Sequence, residues 1–168
     1  MKEKYEINEN KLIIIDPELG INIVSNLKMK KKYLYYEDKK ILAVMHYHKD
    51  LLHGQSLFYS KKSSILSSSW FYKGKRFGKT YQYYKSSKLY SIERYKEGFL
   101  EGRQIYYFED GALKTIMNYK NGKLHGEVKL FYDNSKIKRH LIFEKGKKIL
   151  DHIFDENEKL IDEESFSL

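Results

Sequence analysis

Hydrophobic and polar positions along this chain repeat with a step of 24 residues. Tyr35, Tyr59, Tyr83, Tyr107 and Phe131 share one phase of that step, and Tyr47, Phe71, Tyr95, Tyr119 and Phe143 share another. Ile41, Ile65, Leu89, Leu113 and Ile137 mark a third. Glycine keeps the same clock. Gly54, Gly78, Gly102 and Gly126 occupy one phase, and Gly74, Gly98, Gly122 and Gly146 the phase four residues earlier, where Asp50 stands in the first block. Eight of the ten glycines fall in these two phases, so the repeat unit must be interpreted before any local feature.

The blocks 31–54, 55–78, 79–102, 103–126 and 127–150 each read as two short strands. In the fourth, "RQIYYF" and "LKTIMNY" are rich in aromatic and β-branched residues, and "EDGA" and "KNGKLHG" supply the turns. Asn121-Gly122 is a strong signal for a type I′ hairpin, whose two central residues both need positive φ. Lys73-Gly74 and Glu97-Gly98 supply one glycine each, and Asp50 is expected to adopt the left-handed region in its place. The glycine closing each block is expected to let one rung pass closely over the next. All eight phased glycines are thus read as structural turns.

One hairpin is not stable alone, so the rungs must stack along a shared stripe. The predicted buried stripe runs through Ile105, Tyr107, Leu113, Tyr119 and their equivalents. The opposite parity is apolar too, with Leu34, Phe58, Tyr106 and Leu130 in one column and Tyr36, Tyr84, Phe108 and Tyr132 in another. A second apolar face is either covered or offered to a partner. The predicted fold is all-β: an elongated single antiparallel sheet of stacked β-hairpins spanning 31–150. Residues 1–30 form an N-terminal capping hairpin around "PELG". Residues 151–168 form a half-repeat and an acidic tail, left open among helix, loose strand and a segment folded back on the body.

Composition sharpens this picture. The chain has 168 residues, no cysteine, a single proline, 16 tyrosines and a formal charge of +9. Residues 151–168 carry −6 and residues 1–150 carry +15. Such a body attracts anionic partners, while lysine also serves to blunt sheet edges. The charged start lacks an apolar signal segment and "LIII" at 12–15 is far too short to span a bilayer, so a soluble, cytoplasmic chain is expected.

Candidate chemistry is sparse. His46 and His48 share a strand face but lack a third ligand, so no metal and no cofactor are predicted. His53 and His125 share a repeat position just before glycine, which indicates a packing or turn role. There is no phosphate loop and no Gly-x-Ser-x-Gly elbow. Glu109 and Asp110 sit in a turn, and Ser63, Ser64, Ser67, Ser68 and Ser69 read as a flexible rung. No catalytic residue and no small-molecule substrate are predicted. Tyr36, Trp70, Tyr84, Phe108 and Tyr132 are the candidate partner-binding residues, because tyrosine and tryptophan are favoured interface anchors.

"YKNGKLHGEVKLFYDNSKI" (119–137) and "YKEGFLEGRQIYYFEDGAL" (95–113) resemble MORN-type repeats, in the variant found in YwqK-type bacterial antitoxin proteins. That resemblance implies stacked hairpins without an active site, and binding to a protein partner such as a toxin in an antitoxin or immunity role. Asp50, the serines at 63–69 and Leu150 depart from the pattern and suggest degenerate outer rungs. A +15 body would repel a basic nuclease, so an acidic or membrane-active partner fits better. The alternative is an anionic membrane surface, met by Lys28, Lys30, Lys31 and Lys32 at about 1 kcal/mol each. Single-stranded nucleic acid ranks last, because the aromatics already recur for packing.

Overall fold

Turn chemistry lays out the chain. The computed structural model describes residues 2–167, and they form strands joined by turns, with no helix among them. A small antiparallel sheet comes first: β1 (Lys4–Asn8), β2 (Lys11–Asp16) and β3 (Ile21–Ser25). The large sheet follows with β4 (Lys30–Tyr35), β5 (Ile41–His48), β6 (Leu51–Tyr59), β7 (Ile65–Tyr72), β8 (Lys75–Arg76), β9 (Gly78–Tyr83) and β10 (Leu89–Lys96). It continues with β11 (Phe99–Leu100), β12 (Gly102–Tyr107), β13 (Leu113–Lys120), β14 (Lys123–Phe131), β15 (Ile137–Glu144), β16 (Lys147–Phe154) and β17 (Leu160–Ser165). Its order is the chain order from β4 to β17, with β8 and β11 as short pieces beside β7 and β10. The acidic tail is therefore the last strand of the ladder.

Two turn types alternate. At the tight one, Asn121 and Gly122 have φ of 51° and 75°, as the type I′ turn requires. Lys73, Glu97 and Lys145 are left-handed as well, at 48°, 53° and 50°. Lys49, not Asp50, takes positive φ in the first block, which corrects the expectation for Asp50. Each tight turn is also tied to the rung before it. Gly74 N–H donates to Leu52 O, Gly98 to Arg76 O, Gly122 to Leu100 O and Gly146 to Leu124 O, at 2.8–3.0 Å. Side chains add a second tie: Lys73 N–H donates to His53 Nδ1 and Lys145 N–H to His125 Nδ1, at 3.3 and 3.4 Å. Asn121 N–H donates to Glu101 Oε2 at 2.6 Å. The histidines thus have the turn role expected of them.

Glu97 holds a left-handed conformation that costs an L-residue about 1 kcal/mol. Glu97→Gly is expected to raise stability by ~0.5 kcal/mol after the added freedom of the unfolded chain is counted. Thermal unfolding of the pair of proteins checks this.

The wide turns are equally regular. Phe108 N–H donates to Ala112 O and Gly111 N–H to Phe108 O, and the same pair of bonds recurs at Tyr36, Ser60, Tyr84, Tyr132 and Asp155. The serine-rich segment is no flexible rung: Ser67, Ser68 and Ser69 lie in β7 with regular partners on β6.

Burial departs from the predicted stripe. Ile105, Tyr107, Leu113 and Tyr119 are only half-buried, and Tyr35 is 56% exposed. The Tyr35/Tyr107, Leu113 and Tyr119 columns flank the turns at the margins of the sheet, whereas Ile105 lies mid-strand between Ile92 and Ile116. The most buried large-sheet residues are mostly small or polar: Ala43, Ser56, Thr80, Ser91 and Gln104 in the middle, and His53 beside a tight turn.

The principal apolar core lies elsewhere, in Leu12, Ile14, Leu19, Ile21, Met29 and Trp70, with Tyr5, Ile7, Ile23, Tyr72 and Phe77 packed against it. The N-terminal segment is thus not a hairpin capping one end. It has a third strand, β1, and lies flat over one face of the early rungs as a roof. Tyr5 stacks at 5.5 Å on Trp70, accepts from Lys79 N–H and donates to Asp16 Oδ2. Farther along, Lys96 Nζ donates to Leu19 O and Arg94 pairs with Glu18. The block-closing glycines make room for this roof. A Cβ on Gly54 would lie 2.3 Å from Ile7 Cδ1, one on Gly78 2.5 Å from Tyr5 and one on Gly102 3.0 Å from Leu19. At Gly126, beyond the roof, the nearest such atom is 3.9 Å away. It is the roof that approaches these glycines, not the next rung.

Candidate binding surface

Strand alternation divides the large sheet into a roofed face and an open face. In β10, Arg94 and Lys96 reach the roof, so Ser91, Glu93 and Tyr95 point the other way. Cross-strand pairs carry a row along the middle of that open face. Met45 faces Ser56, Ser56 faces Ser69, and Thr80 faces Glu93. Gln104 faces Met117, then Val128, Leu141 and Asp151 follow. Most of this row is buried although the roof lies on the other side. Flanking side chains wall it in, with Tyr47, Phe71, Tyr95, Tyr119 and Phe143 along one side and Phe58, Tyr106, Leu130 and Ile153 along the other. The result is a trough with a largely polar floor, one aromatic wall and one mixed aromatic and aliphatic wall.

Hydrogen bonds hold most of the floor's polar groups, while the Ser56 hydroxyl is buried without a partner among the described residues. Glu93 accepts from Tyr95 Oη at 2.8 Å and from Tyr106 Oη at 2.9 Å. Arg76 donates to Tyr95 Oη at 3.2 Å and lies over its ring. Burial, followed by the Glu93 carboxylate, raises the pKa of the Tyr95, Tyr106 and Tyr119 phenols, which remain donors at neutral pH. Gln104 is fully buried: its Oε1 accepts from Arg94 N–H at 2.6 Å and its Nε2 donates to Glu101 O and Gly102 O. At the far end Asp151 accepts two bonds from Arg139 and one from Lys148, and the Arg139 bonds above all hold its pKa at about 2.

Four of the five candidate residues come together. Tyr36, Tyr84, Phe108 and Tyr132 start the first, third, fourth and fifth wide turns along one edge, half-buried. Three are staples between rungs, donating Oη bonds of 2.8 Å to Tyr59 O, Tyr107 O and Phe154 O. Lys61, Lys114 and Lys138 lie over the rings of Tyr36, Phe108 and Tyr132. In the second block Ser60 replaces the aromatic, leaving a recess lined by Tyr36, Lys61, Lys62, Leu66 and Lys85. Trp70 requires a correction. It is 7% exposed and lies under the roof, away from the other four, because its repeat position faces the roofed side.

His46 and His48 each donate a ring N–H to a backbone carbonyl, Gln55 O and Lys28 O. Among the described residues no cluster of three or more His, Cys, Asp or Glu is placed to hold a metal ion. Burial lowers the pKa of His46 and His53, so the unfolded chain gains protons that the folded chain resists once the pH falls below about 6.5. Their stabilising contribution is complete above that value and declines toward the folded pKa. The thermal midpoint is therefore expected to be lower at pH 5.5 than at pH 7.5, and His53→Gln to reduce that dependence. The Asp151 contribution is lost separately, as pH falls from about 3.8 toward 2.

Glu93, Gln104 and Arg76 escaped the sequence reading. The available signal was a charged residue in a column otherwise made of Met45, Ser69, Met117 and Leu141.

Residues 100–121 and 124–145 match the family model described as the MORN repeat variant. Each match begins just after one tight turn and ends within the next, so the matched unit is the observed rung. No curated protein shows significant similarity to the chain.

Proposed function

For a chain that carries MORN-variant repeats, we propose the role of a non-enzymatic binding module that takes a protein partner in the open trough. The observation that carries this reading is the half-exposed aromatic wall of Tyr47, Phe71, Tyr95, Tyr119 and Phe143 on a face that the roof leaves uncovered. Large, stiff aromatic side chains bury much area at little entropic cost, which suits an interface. The carboxylate on the floor is already occupied by two phenols, so it serves better as a fixed hydrogen-bonding platform than as a reacting group. The resemblance to antitoxin proteins favours a toxin as the partner, and the basic body favours an acidic one.

A photo-crosslinking residue at position 119 tests this in the native cell. It is expected to give one discrete protein adduct, whereas the same probe at Arg103, on the opposite parity, gives none. Tyr95→Ala is expected to weaken capture by about 30-fold, the scale of an interface hot spot. Adducts only from position 103 would overturn the reading.

A second reading has its own observation. Lys120, Asn121, Lys123, His125 and Lys145 line a recess at the tight-turn edge beyond the roof, the neighbouring Glu101 being bonded to Asn121 N–H. It suits the phosphate of an anionic membrane surface. Flotation with acidic vesicles at low salt is expected to carry the protein along, and Lys120→Glu with Lys145→Glu to release it. Protein left in solution at low salt would end this reading.

A further inference from the structure

The two ends of the ladder are strands of opposite charge. At one end, β4 carries Lys30, Lys31 and Lys32, all exposed and outside every ion pair among the described residues. At the other, β17 carries Asp162, Glu163 and Glu164 and is exposed along its whole length. Glu164 shares Lys148 with Asp151, and Glu163 lies 3.4 Å from His152, but Asp162 meets no cation among the described residues. Each end strand pairs on one side only, β4 with β5 and β17 with β16. A row of backbone donors and acceptors is therefore free at each end. Charge on such an edge ordinarily prevents pairing. Here like ends repel and unlike ends attract.

The strand types also match. β17 follows a wide turn, as β5, β7, β10, β13 and β15 do, and each of those is followed in the sheet by a strand that leads into the next wide turn. β4 is a strand of that second type. Transferring the register of β13 and β14, in which Met117 faces Val128 and Thr115 faces Leu130, sets Glu164 opposite Lys32 of another copy and Asp162 opposite Leu34. Lys32 is then the diagonal neighbour of Asp162, and Lys31 that of Glu163, within reach of long side chains. Ile161 and Tyr35, 60% and 56% exposed, come face to face.

We propose that the chain associates head to tail with copies of itself, β17 of one pairing antiparallel with β4 of the next so that the sheet runs on. The contact is heterologous, and each added copy presents a fresh end, so growth is open-ended. Its charge contribution is screened within about 8 Å at physiological salt, so assembly is strongest at low ionic strength.

Sedimentation velocity at low salt tests this on the full chain. The unaltered protein is expected to show a weight-average mass that rises roughly twofold or more with concentration and falls back with added salt. K30E/K31E/K32E and D162K/E163K/E164K are each expected to remain monomeric alone and to associate when mixed one to one. Far-UV circular dichroism confirms that both variants fold. An unaltered chain that stays monomeric at every concentration and salt would overturn the proposal, as would folded variants that fail to restore association on mixing.

Discussion

Gly78→Ala is expected to lift the roof from the ladder. The new methyl group would lie 2.5 Å from Tyr5 Cε1 and 2.6 Å from its hydroxyl, on a backbone with φ of 72°. Tyr5 has little freedom to retreat, since its ring packs on Trp70 and its hydroxyl serves Asp16 and Lys79 N–H together. Backbone strain and displaced packing together should cost about 3 kcal/mol or more. For a chain of this size that corresponds to a fall of roughly 6–12 °C in thermal midpoint. Trp70 is the sole tryptophan, so its emission reports the event directly and should shift to the red. Gly98→Ala provides the control. No side chain lies within 4 Å of its added methyl, so only the cost of φ at 89° remains and the emission should stay unchanged.

Gln104→Leu is the second large effect expected. The substitution keeps the volume of a fully buried side chain but removes the acceptor for Arg94 N–H and the donor to Glu101 O and Gly102 O. Unpaired backbone groups away from water each cost about 1–3 kcal/mol, and the loss should total about 3 kcal/mol. Denaturant unfolding measures this variant beside Gln104→Glu. Glutamate keeps the acceptor for Arg94 N–H but sets a second buried carboxylate opposite Glu93, so it should lose at least as much.

The ladder was legible in the sequence because tight turns impose positive φ, and that need places glycine with a fixed period. The roof was hidden for a physical reason. "KLIIID" buries residues on both parities, so its pattern does not say which surface covers it. Trp70 shares its repeat position with His46, Arg94, Asn118 and Ile142, a mixture that conceals burial. The floor of the trough was hidden in another way. Ser56, Thr80 and Gln104 are buried by their position in the middle of a wide sheet, which hydropathy does not record. Tyr36, Tyr84 and Tyr132 were legible as a column, but their bonds to the next rung depend on geometry across about 23 residues.

Oxidative footprinting of the tyrosines in the free and partner-bound protein tests most directly whether the open trough is the working surface. Tyr95, Tyr106 and Tyr119 should become protected on binding, while Tyr72 and Trp70, beneath the roof, keep the same low reactivity in both states. Protection confined to the roofed face, with the trough tyrosines unchanged, would contradict it.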